Sequence, residues 1–260
     1  MKIISWNVNG IRAVHKKEKF LPLFERNPDV VCLQEIKAEE AQIPEEARTV
    51  PGYTAFFNSS KTKKGYSGVA IYTKIKPDKG GRPLRIEYGM GIPRFDDEGR
   101  MLSLYIEDTV IITAYFPNGG AGPERLQYKL DFYDAFLLFI ENLRKQGKDI
   151  VFCGDVNTAH QAADLARPKE NEKNTGFLPI ERAWIDRVIA CGYIDIFREC
   201  NPELRDAYTY WDMKTGARAR NVGWRIDYFF MTTSLKTKTI KTDILANHEG
   251  SDHCPIVLEW

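Results

Sequence analysis

The sequence is short of the features that mark several broad classes of protein. No stretch approaches the roughly 20 consecutive apolar residues that a membrane-spanning helix needs, so no membrane partner is expected. The five cysteines, Cys32, Cys153, Cys191, Cys200 and Cys254, are odd in number and scattered. Such a set argues against a disulfide framework and against a zinc site. Cys32, Cys153 and Cys254 lie in apolar, strand-like runs and are expected to be buried free thiols. Net charge is only +1, so bulk charge announces no polyanionic partner, and any nucleic-acid face has to come from local clustering. The start, Met1-Lys2-Ile3-Ile4-Ser5-Trp6-Asn7, turns polar too early for a secretory signal. A cytoplasmic, non-secreted protein is therefore expected. There is no Ser/Gly/Pro-rich linker and no repeat at a fixed period, so residues 1–260 are expected to form one domain, acting as a monomer.

What is present is a chain of many strands and a few helices. Apolar runs rich in β-branched and aromatic residues predict strands over 2–8, 29–34, 54–58, 68–73, 102–106, 110–116, 150–153, 224–231, 242–245 and 254–260. The short gap 107–109 predicts a hairpin. Helical spacing of Phe20, Leu23 and Phe24 predicts a short helix over 18–26. A long helix should open at Pro123, with Leu126, Leu130, Tyr133, Leu137, Ile140 and Leu143 along one side and Gly147 beyond its end. Another should run from Pro179 to about Ala190, stopped by Gly192.

The stretch Ile150 to His160, Ile-Val-Phe-Cys-Gly-Asp-Val-Asn-Thr-Ala-His, concentrates the chemistry. A buried run ends at Gly154, and Asp155 and Asn157 follow two residues apart. Alternation in extended backbone points them the same way. Taken alone, these are also common turn residues. The other polar residues at the ends of apolar runs are Asn7, Glu35, Tyr115, Asp227, Asp252 and His253. Oxygen donors without a cysteine–histidine cluster suit a hard ion, Mg2+ or Mn2+. Such an ion with carboxylates, amides and a histidine makes the parts for phosphate-ester hydrolysis.

Six segments stand in a recognisable order: Trp6-Asn7-Val8-Asn9-Gly10, Leu33-Gln34-Glu35, Tyr115-Phe116-Pro117-Asn118, Gly154 to His160, Asn221-Val222-Gly223-Trp224-Arg225-Ile226-Asp227, and Gly250-Ser251-Asp252-His253-Cys254-Pro255. On these residues the chain resembles, from Met1 to Trp260, the exonuclease III type of apurinic/apyrimidinic endonucleases, within the DNase I-like phosphoesterases. The resemblance implies an α/β fold, a four-layered sandwich of two packed, mostly antiparallel β-sheets flanked by helices. It implies a metal-dependent DNA-repair enzyme that cuts the backbone 5′ to abasic sites in double-stranded DNA. Trimming of 3′ ends, 3′–5′ exonuclease action and cutting at deoxyuridine are further expectations.

The resemblance also assigns roles. Glu35 would be the principal metal ligand, with Asn7 and Asp252. Asp155 would orient or deprotonate the attacking water, and Asn157 would donate to the phosphate. His253, held by Asp227, would contact the phosphate, with Tyr115 near the phosphate or leaving group. Tyr210, Trp224 and Ile226 would cup a base-less sugar turned out of the duplex. Asn118, Asn171, Asn174 and Arg220 would contact DNA, with Arg218 beside them. Two departures stand out. Ala121 stands where relatives often insert a bulky residue into the duplex, and Lys214-Thr215-Gly216 lacks the methionines some relatives place in the groove; in addition, Asn9 stands where some relatives carry an acid. His160 is read as structural. The alternatives are a sibling acting on phosphoinositides or sphingomyelin, which would need a lipid-binding patch, and a catalytically silent DNA-binding module.

Overall fold

A computed structural model describes residues 1–76, 84–236 and 240–260. Among the described residues, twelve strands form two six-stranded sheets: β1 (Lys2–Asn7), β2 (Val30–Gln34), β3 (Thr54–Asn58), β4 (Val69–Thr73), β5 (Arg85–Tyr88), β6 (Met101–Ile106), β7 (Thr109–Ala114), β8 (Asp149–Asp155), β9 (Tyr193–Asp195), β10 (Asp227–Thr232), β11 (Lys241–Ile244) and β12 (Ile256–Glu259). The first sheet runs β11-β12-β1-β2-β4-β3 and the second β5-β6-β7-β8-β10-β9. Each holds one parallel pair, β1 with β2 and β7 with β8, among antiparallel neighbours.

The near-continuous apolar runs follow from burial of both faces. Along β1 and β2, Ile3, Val30 and Cys32 point between the sheets, where they meet Ile111, Val151, Cys153 and Phe229 from the second sheet. Their neighbours Ile4, Val31 and Leu33 point outward against Ile11, Val14, Phe20 and Leu23. In β8, Ile150 and Phe152 face outward to the helices Pro123–Lys145 and Pro179–Ala190. Helix, sheet, sheet and helix give four layers, as expected. All five cysteines are free, and Cys32, Cys153 and Cys254 are buried. Among the described residues no helix is long and apolar enough to cross a membrane.

Several local expectations shift. The segment expected as a helix over 18–26 is a single tight 3₁₀ helix, Leu21–Arg26, and an unexpected helix forms at Ile11–Lys16. Strands β5 and β9 are additional. The long helix starts at Pro123 as expected, but its most buried face carries Lys129, Phe132, Tyr133, Phe136, Ile140 and Leu143. Leu126, Leu130 and Leu137 are half-buried beside it. The stripe is rotated towards Phe132 and Phe136, which pack into the outer core, and Lys129 on the same face finds buried partners there.

Strand direction puts the site at one end of the sandwich. β1, β2, β7 and β8 all finish there, at Asn7, Gln34, Ala114 and Asp155. β10 runs antiparallel to β8 and begins there, with Asp227 opposite Asp155. The turn before β12 returns Asp252 and His253 to the same end.

Candidate active site

Backbone conformation at the strand ends aims the polar side chains inward. Glu35 follows β2 with φ 51°, and Asn157 follows β8 with φ 57°, both in the left-handed region. Bulky residues rarely adopt it, and its cost of order 1–3 kcal/mol needs surrounding bonds to hold it. At Glu35 the carbonyl accepts from Gly10 N, and the next residue, Ile36, donates to Gly68 O. Gly154 is required by close approach, because a Cβ there would lie 2.1 Å from the Ala114 carbonyl of β7.

A cavity of about 450 Å³ opens at this end, lined by Asn9, Glu35, Lys37, Tyr115, Asn118, Asp155, Asn157, Thr175, Gly176, Tyr210, Asp212, Trp224, Ile226, Asp252 and His253. Asp155 is 1% exposed. Its Oδ1 accepts from Asn157 N at 2.7 Å, and its Oδ2 accepts from Asn7 Nδ2 at 3.0 Å and Asn157 Nδ2 at 3.2 Å. His253 Nδ1 lies 2.8 Å from Asp227 Oδ2, while its Nε2 faces Asp155 Oδ2 at 3.8 Å. Asn7 Nδ2 also donates to Glu35 Oε1 at 2.9 Å. Lys37 Nζ pairs with Glu35 Oε2 at 2.6 Å and donates to Asn9 Oδ1, and Asn9 Nδ2 donates to Asp252 Oδ1 at 2.9 Å.

Burial without enough positive charge shifts the titrations. Asp155 is pushed up to about 8, first by burial and further by the carboxylates of Asp227 and Glu35, with His253 opposing. Burial alone would lower His253, but Asp227 and Asp155 outweigh it and raise the ring to about 10. Burial would raise Glu35 too, yet Lys37 and the Asn7 amide hold it below the usual carboxylate range. Tyr115 is pushed well above the ordinary phenol value by burial and then by Glu35, against the Arg100 guanidinium 4.8 Å from its ring centroid.

The raised His253 value sets a direction for stability. Its folded value exceeds the unfolded one, so its stabilising contribution is complete below about 6.5 and is lost as pH climbs through about 10. Asp155, also raised, favours unfolding as pH climbs towards 8. The ion-free protein is therefore expected to melt progressively lower between pH 7 and 10, by roughly 2–4 °C for each kcal/mol lost in a chain of this size. Thermal denaturation in chelator across that range is the measurement, and a flat profile would contradict the assignment.

The residues present fit a divalent cation. Among the described residues, Glu35 and Asp155 bring carboxylate oxygens within 4.8 Å of each other and of a His253 ring nitrogen; the two carboxylates are the groups that could take the ion, since Asp227 keeps His253 protonated. Buried carboxylates outnumber cations around Asp155, and the high proton affinity there expresses a deficit that a hard cation would also meet. The expected ligands are placed unequally. Asn7 directs its amide nitrogen at both carboxylates and its Oδ1 accepts from Asn9 N at 3.0 Å, so in this arrangement it orders the acids. Asp252 lines the cavity one step out, held by Asn9 and by Ser251 Oγ at 3.0 Å.

Tyr210, Trp224 and Ile226 do come together, packed with Ala159, Leu165 and Phe177 into an apolar wall. The Tyr210 ring also lies 4.9 Å from His253, centroid to centroid. Asn118 reaches the cavity and donates to Asn157 Oδ1 at 3.0 Å. Asn171, Asn174 and Arg220 are not brought to it. The first two bond each other on an exposed turn, Asn174 Nδ2 to Asn171 Oδ1 at 3.0 Å, and Thr175 and Gly176 line the cavity instead. Arg220 donates to Thr215 O at 3.0 Å on the surface. Arg218 stacks on Trp211 and donates to the carbonyls of Ala246, His248 and Ser251, bracing the turn that carries Asp252 and His253. His160 is structural, bonded to Asp186 and Tyr228. Beside the segment that lacks groove methionines, Met213 stands 60% exposed.

Sequence reading missed Lys37, whose place two residues after Glu35 was a signal, and Arg100. Arg100 is 1% exposed and donates to Tyr115 O and Tyr66 Oη with Glu98 as its counterion, so it fixes Tyr115 from behind. No local pattern marks it.

A model of the endonuclease/exonuclease/phosphatase family matches residues 4–253. The chain is 43% identical over 262 residues to the exodeoxyribonuclease of Bacillus subtilis (strain 168), covering 99% of this chain and 98% of that protein. It is 40% identical over 259 residues to the DNA repair nuclease APEX1 of Danio rerio, covering 99% and 81%. Among solved structures it superposes on an AP endonuclease from Archaeoglobus fulgidus with a TM-score of 0.85, at 29% identity and with 100% and 99% of the chains covered.

Proposed function

The chain belongs to the endonuclease/exonuclease/phosphatase family, in its exonuclease III and AP endonuclease branch, and is a DNA-repair nuclease; from that premise we propose that it cuts duplex DNA on the 5′ side of abasic sites with the help of Mg2+ or Mn2+. The observation that carries this reading is one cavity with two unlike walls. One is polar, formed by Glu35, Asp155, Asn157 and the His253–Asp227 pair, and the other apolar, formed by Tyr210, Trp224 and Ile226, with the Tyr210 ring beside His253.

Each wall does a separate job. The apolar wall accepts a sugar that lacks a base, and extruding one nucleotide is cheapest where no base pair has to be broken. The bound cation would be held chiefly by Glu35 and would offset charge on the phosphate. His253, kept as imidazolium by Asp227, donates to a phosphate oxygen. Asp155, facing both, takes a proton from the attacking water. Asn157 donates to phosphate by exchanging its longer contact with Asp155. Tyr115, braced by Arg100, stands where the leaving oxygen departs. A frayed 3′ end offers the same phosphate to the same groups, so 3′ trimming belongs to this proposal, as does cutting at deoxyuridine if the base is tolerated in the cavity.

The test is a labelled duplex with one tetrahydrofuran abasic analogue, incubated with magnesium and then with chelator, alongside duplexes carrying deoxyuridine or no lesion. The expected result is a 5′-side nick that chelator abolishes. Binding without cutting would favour a silent DNA-binding module, and release of lipid headgroups instead would favour the lipid-cleaving sibling.

A further inference from the structure

The cavity walls rest on an ion pair that no part of the chemistry uses. Lys129, in the second turn of the Pro123–Lys145 helix, and Glu181, in the first turn of the Pro179–Ala190 helix, are both fully buried and 2.6 Å apart. Lys129 Nζ also donates to Asn157 O at 2.8 Å and Thr158 Oγ1 at 2.9 Å. Glu181 Oε1 accepts in addition from Thr175 Oγ1 at 2.7 Å. Its Oε2 accepts from Gly176 N at 2.6 Å and Leu178 N at 3.0 Å. Three ammonium hydrogens and two carboxylate oxygens are thus matched to partners, the condition under which a buried pair is tolerated.

The partners are not a random sample of the core. One set is Asn157 O and Thr158 Oγ1, in the turn that carries the Asn157 side chain. The other is the Thr175-Gly176 edge of the cavity, where a Cβ on Gly176 would come within 3.3 Å of the Trp224 ring. The two are further tied by Ala159 N donating to Gly176 O at 2.8 Å. Thr175 itself packs so close to Gly119 that a Cβ there would meet its hydroxyl at 2.5 Å.

We propose that the Lys129–Glu181 pair is a positioning element for the reaction, fixing the Asn157 turn and the Thr175-Gly176 edge relative to each other and thereby setting both turnover and discrimination for a base-less sugar. The kinetic part rests on the abasic-site reading above. Neither residue touches substrate. A pair kept for stability alone has a different signature, because replacing a buried pair by neutral groups of similar volume is often neutral for stability.

The experiment compares the native protein with the double variant Lys129→Met/Glu181→Leu, which leaves Gly176 N and Leu178 N without their acceptor, and with Thr175→Val, which leaves the pair intact but removes one of its contacts. Amide hydrogen exchange by NMR is read first and needs no substrate. Gly176 and Leu178 are expected to exchange at least about tenfold faster in the double variant while the amides of β8 keep their protection. In kinetics on the tetrahydrofuran duplex, kcat is expected to fall about tenfold with KM within about twofold, and the preference over intact duplex to fall by a similar factor. Thr175→Val should move the same quantities less, and it decides the matter if the double variant does not fold. Unchanged exchange at Gly176 and Leu178, or losses confined to melting temperature with kcat and preference intact, would overturn the proposal. If the native protein fails to cut the abasic duplex, the functional reading falls, and the exchange data still decide whether the pair holds the two walls.

Discussion

Asp155→Asn is expected to leave abasic duplex bound while slowing its cleavage by roughly 10³-fold, inside the range that loss of a general base produces. The side chain is almost completely buried, accepts from Asn157 N and from the amides of Asn7 and Asn157, and faces His253 Nε2. Its proton affinity, raised to about 8, is matched to taking a proton near neutral pH. An asparagine has the same shape but meets this ring of N–H donors with an NH2 group of its own, whichever way its amide is turned. It also removes a carboxylate that helps keep His253 charged, so the ring should lose its proton at lower pH. Binding should change by no more than a few-fold, because phosphate contacts over the wider surface supply most of the affinity for DNA. Single-turnover rates beside fluorescence-anisotropy binding separate the two quantities. A variant that cuts at the native rate removes Asp155 from the mechanism.

Glu35→Ala is expected to raise the magnesium concentration that supports half-maximal cutting by 10- to 100-fold or more, since even residues that only orient a metal's ligands cost about that much. Glu35 is held below the usual carboxylate range by Lys37 and the Asn7 amide, so it presents a full negative charge at neutral pH. It also anchors its neighbours: Lys37 pairs with one oxygen and Asn7 donates to the other. Truncation would free the Lys37 ammonium in the space where the cation is needed, adding repulsion to the lost ligand. Calorimetric titration with Mn2+ in the absence of DNA reads the affinity without relying on turnover. A titration superimposable on that of the native protein would show that the ion is held elsewhere.

How much of this was legible beforehand depends on whether the signal was local. Burial on both faces leaves a continuous apolar run, and that placed β2, β4, β6 and β12 to within a few residues, while the half-buried edge strand β3 was placed by its Phe56-Phe57 aromatic pair. Pro123 and Pro179 marked helix starts because a missing N–H costs nothing in a first turn. Polar residues at strand ends gave Asn7, Glu35, Asp155 and Asp227, since a site at the end of a sandwich must be built from the residues where strands stop. Asn171, Asn174 and Arg220, which the resemblance names as DNA contacts, lie outside the cavity; loop side chains carry no periodicity to say which way they point, and theirs bond within the loop or to nearby backbone.

The sequence by itself therefore determined the family, through six motifs standing in order, and with that resemblance the two-sheet core and the residues proposed to react. The tertiary structure decided everything that depends on two distant segments meeting in a low-dielectric interior. It set the proton affinities of Asp155 and His253, the capture of Glu35 by Lys37 and the bracing of Tyr115 by Arg100. It also buried Lys129 against Glu181, 52 residues away. A charge in the middle of a helix reads as solvated until its counterion is known, and the counterion is supplied only by the fold.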